Sequence, residues 1–142
     1  RLEISDYIKK NSFYGIGISS VREIFQLNIL RASLLAMKRA ILNLSIKPNL
    51  VLIDGVFAPE GLMNFKTIVK GDEKIKVISA ASIVAKSYRD LLMIRMSKKF
   101  SGYHWNKNFG YGTKQHLVSL KKRGITKLHR KKFRPVHKML LK

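Results

Sequence analysis

Two aspartates occupy positions that an apolar core tolerates only when something binds them. Asp54 ends the apolar run Leu50-Val51-Leu52-Ile53, and Asp72 follows Ile68-Val69-Lys70-Gly71, eighteen residues further on. An ionised carboxylate at the end of a buried strand costs roughly several kcal/mol unless it is paired or coordinates a metal. Each position also has a plainer reading, because Asp54-Gly55 is a strong turn dipeptide and Asp72 sits in the turn-like Lys70-Gly71-Asp72-Glu73. The charge balance bears on the choice. The chain carries only eight acidic residues (Glu3, Asp6, Glu23, Asp54, Glu60, Asp72, Glu73, Asp90) against a formal net charge of +21. Two strand-end acids in so basic a chain suggest a divalent-metal site facing a polyanion, the arrangement of a nuclease.

The basic charge is concentrated at one end. Residues 1 to 90 hold 14 basic and all eight acidic side chains, a net +6, whereas residues 91 to 142 hold 15 basic side chains and no acid. A run of like charge can be a solvated tail. Here Phe100, Tyr103, Trp105, Phe109, Tyr111 and Phe133 are threaded through it, and interleaved cations and aromatic rings suit phosphate contact with stacking on sugars or bases. An anionic lipid surface fits less well, since no long basic helix with a continuous apolar face is present.

A chain of 142 residues with 46% hydrophobic content can bury one core. It has no cysteine, so neither a disulfide framework nor a zinc-thiolate site is available. Its apolar runs fall short of a membrane span, and no leader-like segment precedes a cleavage site; a cytoplasmic monomer with no membrane association is expected. The chain starts at Arg1 within an apparent helix (Leu2, Ile4, Tyr7, Ile8) and so reads as a fragment of a longer protein.

The elements that must position these residues follow from local signals. Phe13 to Ile18 predicts a short strand, and Ser20 with Glu23 has capping-box spacing for a helix start. Leu27, Leu30, Leu34, Met37, Ile41 and Leu44 form one apolar face of a long or kinked helix ending before Pro48. Leu50 to Asp54 predicts a buried strand, Thr67 to Val69 a second, and Ser79 to about Lys99 a helix that opens with Ala80, Ala81, Ser82 and Ala85 and is broken at Gly102. Thr113 can cap a helix to Arg123, with Gly124 as its stop. An aspartate at the carboxyl end of a parallel strand faces the crevice where open α/β sheets place their sites. Lys86, Arg89 and Asp90 share a helix face, with Asp90 expected to be structural. His104, His116, His129 and His137 lack zinc spacing and are expected at the surface or beside phosphates.

Taken in order, several short motifs resemble ribonuclease HII: Gly15-Ile16-Gly17-Ile18-Ser19-Ser20 with Glu23, Asn28-Ile29 and Ala32; Leu52-Ile53-Asp54-Gly55; Val69-Lys70-Gly71-Asp72; Ser79 to Lys86 with Arg89-Asp90; Gly110-Tyr111-Gly112-Thr113-Lys114 with His116-Leu117; and His129-Arg130 with Phe133 and Pro135. Each is weak alone, but their ordered series covers the chain from about residue 15. The resemblance implies an α/β fold, a ribonuclease H-like mixed sheet flanked by helices with its N-terminal strands missing. Residues 1–100 would form a partial catalytic core and 101–142 a basic helical segment of the same domain. It implies Mg2+ or Mn2+ held by Asp54 and Asp72, together with an adjacent Asp-Glu followed by Gly-Arg-Gly that this sequence does not contain. The implied substrates are RNA/DNA hybrids and DNA containing ribonucleotides. Tyr111 would pack on the sugar beside the ribonucleotide, and Lys70, Lys86, Lys107, Lys114, His129 and Arg130 would contact substrate. Asn108-Phe109 stands where family members commonly have His-Lys, which shifts the expected phosphate contact there to Lys107 or Lys114. Asp at position 72 favours this family over its sister, ribonuclease HIII. The competing expectation is a non-catalytic basic RNA-binding protein of ribosomal type, in which the acids are turn residues.

Overall fold

The computed structural model describes residues 1–141. The chain divides into two compact units, Arg1–Ser87 and Tyr88–Lys142. Helix α5 (Lys76–Lys99) contributes its first half to one and its second half to the other.

The first unit begins with α1 (Leu2–Asn11), followed by an extended stretch and then α2 (Val21–Leu27) and α3 (Ile29–Leu42). The capping box forms as the sequence dictates: the Ser20 side chain accepts from the Glu23 N–H, and the Glu23 carboxylate accepts from the Ser20 N–H at 2.8 Å. The expected long helix is two helices, because Asn28 adopts φ 73° and its side chain caps α3 by accepting from the Arg31 N–H. Asparagine tolerates that left-handed φ better than most residues.

Phe13 to Ile18 is not a strand. It is extended, but it is held by side chains of α3 and is not paired in a β-ladder. Asn43 donates to the Ile16 carbonyl at 2.7 Å, Arg39 to the Ile18 carbonyl at 2.7 Å, and the Ser19 hydroxyl to the Ala32 carbonyl at 2.6 Å. Gly15 and Gly17 permit this: a Cβ on Gly17 would lie 1.9 Å from the Ala36 carbonyl oxygen, and one on Gly15 2.2 Å from that of Ala40. The glycine pair is therefore a helix-packing device.

Strands β1 (Val51–Asp54) and β2 (Phe65–Ile68) pair in parallel, with Val51 opposite Phe65 and Asp54 opposite Ile68. β2 thus starts two residues before the expected Thr67 and ends one residue short of Val69. Ile53 is buried in β1, while the one-turn helix α4 (Gly71–Lys74) follows β2 directly.

In the second unit, the end of α5 is followed by α6 (Trp105–Asn108), α7 (Lys114–Arg123) and α8 (Arg134–Leu140). Thr113 caps α7 and Gly124, at φ 78°, ends it, as the sequence predicts. The core is Tyr103, Trp105, Leu120 and Val136, with Met93, Met96, Phe100, Leu117, Ile125, Leu128 and Met139 packed around them. The interleaved aromatics accordingly split. Tyr103 and Trp105 stack on each other at 5.2 Å inside the core, leaving Tyr111 and Phe133 exposed. Burial of the large rings outweighs any gain from offering them to a ligand.

Candidate active site and substrate-contact loop

Asp54 ends β1, and Asp72 lies in α4, which follows β2, so both are at the carboxyl end of the two-stranded sheet. The ladder runs on past Asp54, since the Gly55 N–H donates to the Ile68 carbonyl at 3.0 Å. The chain then turns at Lys70, in the left-handed region at φ 54°, and Gly71 enters α4. Gly71 is buried against Ile78, whose Cδ1 would lie 2.7 Å from an added Cβ. Its N–H donates to Asp54 Oδ1 at 2.8 Å. That bond fixes the Asp54 carboxylate one residue from Asp72. Both aspartates are exposed, against the expectation of carboxylates at the end of a buried strand, because only Ile53 of β1 is buried and Asp54 lies at the open end of the ladder; Lys70 and Lys86 are exposed in the same unit.

Hard oxygen donors of this kind fit a magnesium-type ion, which keeps several waters and takes only a few carboxylates alongside substrate phosphates. The uncommitted oxygen of Asp54 and the Asp72 carboxylate are the groups that could hold one. No cluster of three or more histidine, cysteine or acidic side chains stands together among the described residues.

The second unit builds a loop around Tyr111. Phe109 (φ 49°) and Gly110 (φ 82°) are successive left-handed residues that swing the chain outward. The Tyr111 N–H donates to the Asn108 carbonyl at 2.8 Å, and Asn108 is itself buried and donates to the Tyr103 carbonyl at 2.7 Å. Gly112 lies against Phe133, whose ring carbon is 3.3 Å from where a Cβ would stand. Tyr111 is 56% exposed, so it is no core tyrosine. Lys107 and Lys114 are exposed on either side of this loop in sequence.

Arg89, absent from the expected contacts, belongs here. Its guanidinium donates to the Phe109 carbonyl at 3.3 Å. Burial and the nearby Arg89 charge pull Arg130 below the ordinary arginine range, with Tyr111 acting the other way. Two guanidiniums beside an exposed tyrosine form a surface suited to phosphate. The sequence signal was Arg89 in the Arg89-Asp90 motif.

The histidines require a correction. His116 and His129 are buried, at 4% and 7% exposure, against the expectation of surface groups. The physical reason is that the core supplies partners for their nitrogens. Trp105 Nε1–H donates to His116 Nε2 at 3.2 Å, His116 Nδ1 lies 2.8 Å from the Tyr111 carbonyl, and the Thr126 N–H donates to His129 Nδ1 at 2.9 Å. Burial first, and then His116, holds His129 below the usual histidine range. The His129 ring, expected at the substrate, is therefore committed inside the fold.

A parallel strand ending in a carboxylate, a basic second unit and an exposed tyrosine loop fit a mixed α/β protein that engages nucleic acid. Comparison with known proteins places it more narrowly. A family model described as "Ribonuclease HII" matches residues 2–138, and the chain belongs to that family. It is 56% identical to ribonuclease HII of Pelagibacter ubique over 142 residues, covering 99% of this chain and 76% of that protein. Ribonuclease HII of Roseobacter denitrificans is 45% identical over 138 residues, covering 96% and 70%. That of Anaplasma marginale is 50% identical over 140 residues, covering 98% of this chain and 58% of the relative. The ribosomal-type alternative has no support in these names. No helix among the described residues is long and apolar enough to cross a membrane.

Proposed function

We propose that this chain serves an endonuclease that hydrolyses the RNA strand of RNA/DNA hybrids and nicks 5′ to ribonucleotides embedded in DNA, with Asp54 and Asp72 holding Mg2+ or Mn2+. The observation that carries this reading is the Gly71 N–H bond to Asp54 Oδ1, which preorganises one carboxylate beside the other at a strand end. When bound, divalent metal would supply an activated water and charge stabilisation at the scissile phosphate. The chain's own residues bind and orient: Lys70 and Lys86 are offered to phosphates near the acids, and Tyr111 to the sugar at the ribonucleotide. Lys107, Lys114, Arg89 and Arg130 hold the backbone of the duplex. His129 contributes through its neighbours.

Catalysis by two metal ions, which the family resemblance implies, would leave two carboxylates to hold two mutually repelling cations. We therefore include in the proposal a further acidic pair, the Asp-Glu preceding Gly-Arg-Gly that the family resemblance implies, and a ribonuclease H-like sheet that continues beyond β1 and β2. These 142 residues by themselves should then show no cleavage of hybrid with either metal, and supplying the missing motifs should restore it. Substitution of Asp54 or Asp72 by asparagine in the restored protein tests the assignment.

A further inference from the structure

We propose that His116 and His129 are positioning residues for Tyr111, acting as a buried two-imidazole relay that holds its carbonyl. This rests on the reading of Tyr111 as the substrate contact. Two of the bonds, from the Thr126 N–H and the Trp105 indole N–H, come from groups that can only donate, and they set the others. The Thr126 N–H can only donate, so His129 Nδ1 accepts at 2.9 Å and the ring proton lies on Nε2. The indole N–H of Trp105 can only donate, so His116 Nε2 accepts at 3.2 Å and its proton lies on Nδ1. His129 Nε2–H, 3.3 Å from His116 Nε2, shares that nitrogen's one lone pair with the indole N–H, and His116 Nδ1–H donates to the Tyr111 carbonyl at 2.8 Å. The relay runs from the Thr126 turn, through the core, to the backbone of an exposed residue.

Burying two imidazoles in an apolar core is costly unless their polarity is used, and apolar side chains of similar volume would fill the space without that cost. What the pair adds is a fixed acceptor partner for one carbonyl on the Gly110–Gly112 loop. The titratable groups in ring contact with the pair are the two histidines themselves and Tyr103, whose hydroxyl donates to the Gly124 carbonyl at 3.0 Å. Arg130 follows His129 directly, and residues 91 to 142 contain no acid to compensate a proton. A proton added at His129 Nδ1 would forfeit the bond from the Thr126 N–H and turn to the Thr126 hydroxyl, whose oxygen also lies 2.9 Å away. Acid therefore rearranges the Thr126 end of the relay, and burial places that event below the ordinary histidine value of 6.5.

The test follows imidazole 15N shifts and the Tyr111 backbone amide by NMR from pH 8 to pH 5. Alongside, it measures binding of a duplex carrying one ribonucleotide in EDTA and, in protein that also carries the Asp-Glu and Gly-Arg-Gly motifs, its metal-dependent cleavage. Variants are Tyr111→Ala, His116→Asn, His116→Gln and the Tyr111→Ala/His116→Gln double. Asparagine keeps a donor near the Nδ1 position, whereas glutamine places its amide near Nε2. We expect His116→Gln to weaken binding about fivefold, the scale of one lost hydrogen bond, and His116→Asn to retain most of the affinity. In the Tyr111→Ala background His116→Gln should cost nothing further. The Tyr111 amide should lose protection as His129 takes up its proton. Equal losses from asparagine and glutamine, or an additive loss in the double variant, would overturn the relay while leaving the role of Tyr111 standing. No effect of Tyr111→Ala on binding or cleavage would remove that role and the relay with it. Should His116→Gln fail to fold, a proton assigned to His129 Nδ1 at pH 8 in the parent protein contradicts the proposal by itself.

Discussion

As proposed, Asp54 would have two jobs that a single substitution can separate. Its Oδ1 accepts the Gly71 N–H, a role that an amide oxygen fills as well, whereas its charge is what a cation requires. Tyr111 presents the complementary case of an exposed side chain on a tightly held backbone. Replacing it by alanine should leave the fold and metal binding intact and weaken engagement of an embedded ribonucleotide by roughly 1–3 kcal/mol, the scale of a stacking contact; competition binding with and without the ribonucleotide measures this. The strand end at Asp54 and the exposed position of Tyr111 were legible from their motifs. The buried histidines were not, because nothing local to His116 or His129 foretells that Trp105, Thr126 and the Tyr111 carbonyl will be waiting for their nitrogens.

Among the elements, the Gly15–Ser20 segment and α3 make the most specific packing. Gly17→Ala would drive a methyl group into the Ala36 carbonyl and should destabilise the protein by about 1–3 kcal/mol or more, read from denaturant unfolding. The same segment holds an acid-sensitive clamp. Glu23 is brought down to about 2, first by its bond from Arg39 and then by the Ser20 N–H. Because its carboxylate is favoured in the folded state, its contribution is complete above 4.5 and is lost as the pH falls from 4.5 towards 2. Glu23→Gln should flatten the stability profile across that window, measured by thermal unfolding at successive pH values. The capping box itself was legible, as were Thr113 and Gly124, since caps depend on neighbours three or four residues away. The glycine segment misled: Phe13 to Ile18 has strand composition, but the small face of Ala32, Ala36 and Ala40 claims it at long range. Asn28 divided one expected helix into two for a similar reason, its φ of 73° carrying no mark in the periodicity.

At the scale of the molecule, charge governs association. Residues 91 to 142 carry fifteen cations and no acid, so affinity for hybrid duplex should fall linearly with log salt concentration, by about 0.9 in slope per phosphate contact. Lys107→Ala with Lys114→Ala should flatten the slope by about 1 to 2, and an unchanged slope would remove both from the interface. The central claim is that Asp54 and Asp72 are metal-holding acids, and single-turnover cleavage of an RNA/DNA hybrid in Mg2+ or Mn2+ tests it most directly. Asparagine at either position, in protein restored with the Asp-Glu and Gly-Arg-Gly motifs, should leave unfolding unchanged and lower the rate by at least roughly a hundred- to a thousandfold, the scale of losing one preorganised electrostatic group. Cleavage at the parental rate from either variant would contradict the assignment.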